Sequence, residues 1–425
     1  MAEKVNQILK EVLEEVEPSK EELKIINENL KKFIEDVRKK IKKSGIEAEV
    51  FVGGSFAKGT VIRKKNYDID IFIRFDRKYR NENISEKTKK LLGNLKISVI
   101  HGSRDYFRMK IREDVIFEII PVIRIKNQKE AENVTDLSYF HVSYIKKKVK
   151  TKKILDDIKL AKVFCHANNC YGAESYINGF SGYSLELLVY HYKGFLNFIK
   201  AMTKIKEKEI IDIEKLYKNK NSIMLDLNSS KLKSPIILID PTYMQRNALS
   251  ALSRETFEKF RKVCINFLKN PGIEYFRTKK QDLEKLKKES KRKGYEFILL
   301  ETQTKKQEGD VAGSKLLKFF RHLNEEIEKY FEVKNKGFEY EEGKNAEYFF
   351  IAKRKKEIIV NGPEIKDKEN IKKFRSRHKN VFIKNKKLYA REKVNFNLRE
   401  FIMKWKAKNE RKIKEMAVEE LRIDQ

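Results

Sequence analysis

GGSFAKGTVIRKKNYDIDIFIRF, residues 53–75, joins a tight turn to a strand-like run. Gly53, Gly54 and Ser55 follow a strand-like segment at 47–52 and precede a short helical candidate. Two glycines let a backbone approach a phosphate closely. The Ser55 hydroxyl and the N–H groups of a helix start can then bind phosphate oxygens. Thirteen positions after Ser55 comes Asp68-Ile69-Asp70, inside an alternating run at 67–75. Residues two apart on a strand point to one face, so both carboxylates project together while Ile69 and Ile71 turn into a core. Parallel carboxylates repel unless a cation sits between them, which makes a seat for Mg²⁺ beside a triphosphate.

Outward from this stretch the pattern is helix first, then strands. Leu9, Val12 and Val16 recur at helical spacing, and after Pro18 so do Leu23, Ile26, Leu30, Phe33, Ile34, Val37 and Ile41. Ser19 with Glu22 predicts a capping box and Gly45 a helix stop. Further strands are expected at 106–111 and 115–125. From 151 the chain reads as helical, with amphipathic stretches at 154–167, 181–201 and 255–268, closed by Pro271-Gly272. The remainder mixes charged helices with strand-like runs at 296–301 and 348–353. Its last part interleaves basic residues with Phe374, Phe382, Tyr389 and Phe396. The expectation is an α+β multidomain chain divided at 1–150, 151–272 and 273–425. Lysine runs such as 285–293 read as solvated helix faces.

The 425 residues carry 96 Lys+Arg against 63 Asp+Glu, a formal charge of +33. That surplus argues against an ordinary small-molecule enzyme and for a polyanionic partner, most simply nucleic acid. An anionic membrane surface is the alternative, and charge alone does not choose between the two. No apolar run is long enough to span a membrane, and the first residues lack the apolar segment of a signal peptide. Three cysteines cannot build a disulfide framework, which fits a reducing cytoplasmic compartment.

Gly-Ser, about a dozen residues, then Asp-x-Asp amid apolar residues resembles the signature of the polymerase-β-like nucleotidyltransferases. Further segments resemble one branch, the archaeal, class I CCA-adding enzymes. These are DIKLAKVFCHANNCYGAESYINGFSGYSLE at 157–186, Thr135-Asp136 with His141, and Asp240-Pro241 followed by Gln245-Arg246-Asn247-Ala248. Late in the chain come Asn361-Gly362-Pro363, Phe374-Arg375-Ser376-Arg377-His378 and Leu388-Tyr389-Ala390-Arg391. The resemblance implies a catalytic head, a helical neck that helps form the nucleotide pocket, and a mixed α/β body and tail that bind tRNA. It implies template-independent addition of C, C and A to the tRNA 3′ end from CTP and ATP. The head motif alone also admits a poly(A) or oligoadenylate polymerase, and a non-catalytic RNA-binding protein on the same fold. The oligomeric state stays open, a homodimer being one option.

Carried over position by position, the resemblance implies metal ligation by Asp68, Asp70 and Glu118. Glu118 lies in the apolar run Ile116-Phe117-Glu118-Ile119-Ile120-Pro121, where a charge is costly unless paired or metal-bound. Ser55 and Lys58 would bind the triphosphate, His141, Lys162 and Tyr171 the incoming nucleotide, and Arg246 the edge of the base. Two positions depart from the family pattern, Lys58 in place of arginine and Glu118 in place of aspartate. Without the resemblance, Lys162 reads as one of many surface lysines, Tyr171 as packing and His141 as a cap or core residue. The Cys165-His166…Cys170 cluster has the wrong spacing for closed zinc coordination and reads as helix packing.

Overall fold

The computed structural model describes residues 2–424 apart from 64–65, 103, 279–281, 306–307 and 341–342. Two compact units divide the chain at 279/280. The first opens with helices α1 (Ala2–Val16) and α2 (Lys20–Ser44). The Ser19/Glu22 capping box forms as expected, and Gly45 ends α2 at φ +67°. Strands β1 (Ala48–Val52), β2 (Tyr67–Phe75), β3 (Ser98–Ile100), β4 (Tyr106–Lys110) and β5 (Val115–Ile123) make one sheet in the order β1-β2-β5-β4-β3. Only β2 and β5 run parallel; the other pairs are antiparallel.

The apolar stripe of α2 packs on one face of this sheet. Ile26, Leu30, Phe33, Val37 and Ile41 meet Ile69, Ile71, Ile73, Phe117 and Ile119. Each such side chain contributes about 1.5–3 kcal/mol on burial. The buried face fixes the register of β2, so its alternate residues must emerge on the opposite face. The short β3 has no counterpart among the expected strands.

A second core of the same unit collects helices α5 (Ser138–Lys148), α6 (Lys152–Ala167), α7 (Gly182–His191), α8 (Phe195–Lys204) and α10 (Arg254–Lys269). Between α8 and α10 lies the short α9 (Lys220–Asp226), and α3 (Gly54–Ala57) and α4 (Ile84–Leu92) belong to the sheet region. The rings of Phe164, Phe195, Phe260, Phe267 and Phe276 pack edge to face or tilted, 5.3–6.3 Å between centroids. Ile8, Leu9 and Val12 of α1 sit in this core, not against the sheet.

Two expectations fail here. The helix expected at 181–201 is two helices, because Lys193 and Gly194 take φ +57° and +131°. A Cβ at 194 would come 2.9 Å from Asp157 Oδ2. The stretch 205–250 is not helical throughout. It holds β6 (Glu209–Ile211), β7 (Ile236–Asp240) and β8 (Tyr243–Asn247), with β6 parallel and β8 antiparallel to β7.

The second unit has its own core. Its first elements are α11 (Leu283–Arg292), β9 (Glu296–Gln303), the long helix α12 (Gly309–Tyr330), β10 (Phe331–Tyr340) and β11 (Asn345–Arg354). A four-stranded sheet, β10-β11-β9 with β15 (Glu420–Ile423) at the edge, packs on Leu316, Phe319, Leu323 and Ile327 of α12. A separate sheet holds β12 (Glu357–Glu364), β14 (Lys387–Lys393) and β13 (Asn380–Lys384) in that order. Helix α13 (Lys368–Arg377) lies beside β12 and carries Phe374, Arg375 and Arg377. His378 Nδ1 lies 2.5 Å from Glu392 Oε1 and its ring packs on Phe374.

Candidate active site

The turn after β1 is built against the carboxylates of β2. The Gly53 N–H donates to the Asp70 carbonyl at 2.8 Å, which carries the strand pairing into the turn. Gly54 has φ +60°, and a Cβ there would lie 1.7 Å from Asp70 Oδ2. Only glycine lets the backbone pass so close to that carboxylate. Ser55 and Lys58 follow, Ser55 inside α3 and Lys58 at its end.

Asp68 and Asp70 alternate with buried Tyr67, Ile69 and Ile71, so both stand on the face away from α2. In the parallel register Asp70 pairs with Glu118 of β5, and Glu118 joins the same face. Burial raises the Asp70 carboxyl to about 6, opposed by Lys58 and helped by the Asp68 charge. Burial and then the Asp70 charge raise Glu118 to about 7, against the pull of Arg108. Arg108, its cross-strand neighbour on β4, donates from Nε to Glu118 Oε1 at 2.7 Å. Among the described residues no three metal-capable side chains are gathered around one point. The donor set nonetheless fits a divalent cation. Burial and mutual repulsion raise the Asp70 and Glu118 carboxyls, and a bound cation offsets both.

Beside the carboxylates lies a buried ionic cluster. Glu186 of α7, fully buried, accepts hydrogen bonds from Lys58 Nζ (2.6 Å), Lys162 Nζ (2.9 Å) and Thr60 Oγ1 (2.9 Å). Burial alone would raise this carboxyl, but the charges of Lys162 and Lys58 hold it down at about 2. Lys162 is no surface lysine: it is 2% exposed and also donates to the Thr60 hydroxyl at 2.8 Å. Tyr171 lies beyond the end of α6, past its C-cap Asn168, yet returns beside Lys162. A Cβ on Gly182 would lie 2.7 Å from the Tyr171 hydroxyl and 3.8 Å from Lys162 Cε. His166 stacks on Tyr171, centroids 3.8 Å apart. Cys165, Cys170 and Cys264 are all buried, and burial raises their thiols.

The third group surrounds Asp240, at the end of β7. This fully buried carboxylate accepts from Arg246 Nη1 (2.6 Å), Tyr183 (3.0 Å) and the backbone and hydroxyl of Thr242 (both 2.8 Å). His141 Nε2 lies 3.1 Å from its Oδ2. The His141 ring stacks on Tyr183 with centroids 4.0 Å apart. Tyr183 links the groups, because Lys58 Nζ lies 6.0 Å and the Arg246 guanidinium 5.9 Å from its ring centre. The structure thus brings Lys58, Lys162 and Tyr171 beside Asp70, and joins His141 and Arg246 to Lys58 through Tyr183.

Sequence reading assigned no role to Glu186, Asp240, Tyr183, Thr60 or Arg108. One signal was available. Glu186 stands alone in Leu185-Glu186-Leu187-Leu188, and Asp240 ends Ile236-Ile237-Leu238-Ile239-Asp240. A lone acid in an apolar run needs a partner, the argument that singled out Glu118.

Residues 156–277 match the family described as tRNA nucleotidyltransferase, second domain. Residues 3–144 match the Second Messenger Oligonucleotide or Dinucleotide Synthetase domain. A CCA-adding enzyme of Nanoarchaeum equitans is 34% identical over 84% of this chain and 86% of its own length. The chain belongs to the CCA-adding enzyme family. A CCA-adding enzyme of Methanocaldococcus jannaschii is 29% identical over 91% of this chain and 87% of its own. Among solved structures, the Cid1 poly(U) polymerase bound to MgATP superposes with a TM-score of 0.52. It is 13% identical and covers 66% of this chain and 100% of its own, a likeness of fold. CCA-adding enzymes and this polymerase thus share the polymerase-β-like nucleotidyltransferase architecture with the chain. No helix among the described residues is long and apolar enough to cross a membrane.

Proposed function

We infer that the protein adds C, C and A in turn to the 3′ end of tRNA, without a template, from CTP and ATP with release of pyrophosphate. The observation that carries this reading is that the paired carboxylates of β2 and β5 face two buried lysines, which Tyr183 links to Arg246, in a chain of this family. Residues 1–150 serve as the catalytic head, 151–272 as the neck and 273–425 as the tRNA-binding body and tail. The basic surplus of +33 suits a polyanionic substrate held through phosphates, 2′-hydroxyls and shape. A cytoplasmic location fits tRNA as substrate.

Asp68, Asp70 and Glu118 are the residues that would hold the divalent metal, which we take to be Mg²⁺. Bound there, it would supply activation of the attacking 3′-hydroxyl and charge stabilisation at the phosphates. Ser55, Lys58 and Lys162 neutralise the β- and γ-phosphates, and Tyr171 and His141 hold the nucleotide. Arg246 reads the base edge with a planar guanidinium fork that offers only donors. Positioning and electrostatics carry the reaction, so no protein nucleophile is required.

The test is a tRNA transcript lacking CCA, incubated with Mg²⁺ and CTP, ATP or both, with products resolved to one nucleotide. Two additions with CTP alone, three with both, and then arrest are expected. A long adenosine ladder would point to a poly(A)-type polymerase, and binding without extension to a non-catalytic protein.

The raised carboxyls give a pH dependence. Their folded-state values of about 6 and 7 exceed the ordinary 3.8 and 4.5. Their contribution to stability is therefore full at low pH and lost as pH rises through about 6 and 7. A cation binds the ionised form and reverses that loss. Millimolar Mg²⁺ is expected to raise the thermal midpoint more at pH 8 than at pH 6, read by scanning fluorimetry. An equal shift at both pH values would remove these carboxyls from the metal site.

A further inference from the structure

The Asp240 cluster is built more tightly than packing requires. Its carboxylate receives two bonds from Thr242, one from Tyr183 and one from Arg246, and faces His141 Nε2. Burial would by itself raise this carboxyl; the His141 hydrogen bond and the Arg246 charge hold it well below the usual carboxylate range. It is therefore ionised and accepts from every neighbour. Burial also lowers the His141 imidazole, which is neutral near pH 7. A neutral ring facing a carboxylate through Nε2 carries its proton there, so Nδ1 is left as an acceptor.

Arg246 is anchored through one nitrogen. Among the described residues its other guanidinium N–H groups have no protein acceptor. Its side chain is 21% exposed, although the partner is fully buried. The fork thus has one tine fixed in protein and the rest available to a ligand.

We propose that Asp240 is a specificity-determining positioning residue, whose hold on Arg246 fixes a hydrogen-bond donor against the base of the incoming nucleotide. This rests on the reading of Arg246 as the residue that meets the base edge. Cytosine and adenine each present a ring-nitrogen acceptor beside an exocyclic amino group. Uracil and guanine present a ring N–H at the corresponding place, beside a carbonyl. A guanidinium has only donors and cannot lose a proton to accommodate that N–H. Held by Asp240 and flanked by Tyr183, it also cannot swing away. A site built to pair with one polar pattern rejects the opposite one strongly, because the mismatched groups are left buried and unpaired. The same anchor then serves the C steps and the A step, and the common rejection of U and G needs no movement of this residue.

The experiment uses the full chain and tRNA transcripts ending before the first C or before the A. kcat/KM is measured for CTP against UTP and for ATP against GTP, in wild type, Arg246→Ala, Asp240→Asn and Asp240→Glu. Asp240→Asn is expected to lower both discrimination ratios by roughly tenfold to a hundredfold, with UTP and GTP turnover falling less than CTP and ATP turnover. Asp240→Glu keeps the charge and moves the anchor by one methylene. It tests the same point should the asparagine variant fail to fold, and an intermediate loss is expected. If Arg246→Ala relaxes discrimination while both Asp240 variants slow all four nucleotides equally, the inference falls and the reading of Arg246 stands. If Arg246→Ala leaves discrimination intact, the reading of Arg246 falls and takes the inference with it.

Discussion

Replacing Asp70 with asparagine lowers the rate of nucleotide addition by at least about 10³-fold, while tRNA affinity stays within a factor of a few. The carboxylate stands on a strand whose other face is locked into the core by Ile69 and Ile71, both fully buried. Its side chain therefore cannot relax toward a substitute role. The asparagine side chain would keep the shape that Gly54 leaves room for, so the turn should survive. It would lose the negative charge that a cation needs. At neutral pH the metal-free protein should even be slightly more stable, since burial and the Asp68 charge disfavour ionised Asp70. The measurement is single-turnover extension of a tRNA transcript together with a filter-binding isotherm. A loss of only tenfold would mean that Asp68 and Glu118 suffice, and the assignment of Asp70 would fail.

Glu186→Ala is expected to destabilise the first unit by about 3–5 kcal/mol, the cost of leaving buried charges without a partner. Two ammonium groups, on Lys58 and Lys162, share this one carboxylate at 2.6 and 2.9 Å, and both lysine side chains are under a tenth exposed. Without it their mutual repulsion is unscreened. Nucleotide KM should rise as well, because the same lysines serve the triphosphate in the proposed reading. Glu186→Ala combined with Lys162→Met should recover a large part of the stability but none of the activity. Denaturant unfolding of the first unit checks this. A loss below about 1 kcal/mol would put the cluster in the class of weak surface pairs.

The catalytic strand was legible in the sequence because strand geometry has period two. Asp68, Ile69, Asp70 and Ile71 announce their faces without knowledge of anything distant. The same holds for the α2 stripe and its cap. What stayed hidden depends on partners far along the chain. Lys162 looks like any other lysine, and only the arrival of Glu186 and Thr60 makes it a buried ion. β7 is a run of four apolar residues and an aspartate, which no periodicity separates from a piece of helix. Missing it meant missing the hairpin that brings Arg246 back to Asp240. The break at Gly194 was lost for a simpler reason. Apolar spacing continues across it, and Asp157, against which the glycine packs, is remote in sequence.

The place of α1 has a bearing on how this chain is made. Ile8, Leu9 and Val12 leave the ribosome early, yet their core is completed by the segment Ile273–Tyr275, against which α1 packs. Arg277 also pairs with Glu15 and, at 3.6 Å, with Glu11. At translation rates of about 5–20 residues per second, the helix waits roughly 15–50 s for that partner. Through that interval its apolar stripe is open to chaperones and to neighbouring nascent chains. The first unit is thus closed only when its last turn returns to its first helix. The helices after 150, expressed without α1, would lack three of the side chains that fill their interior.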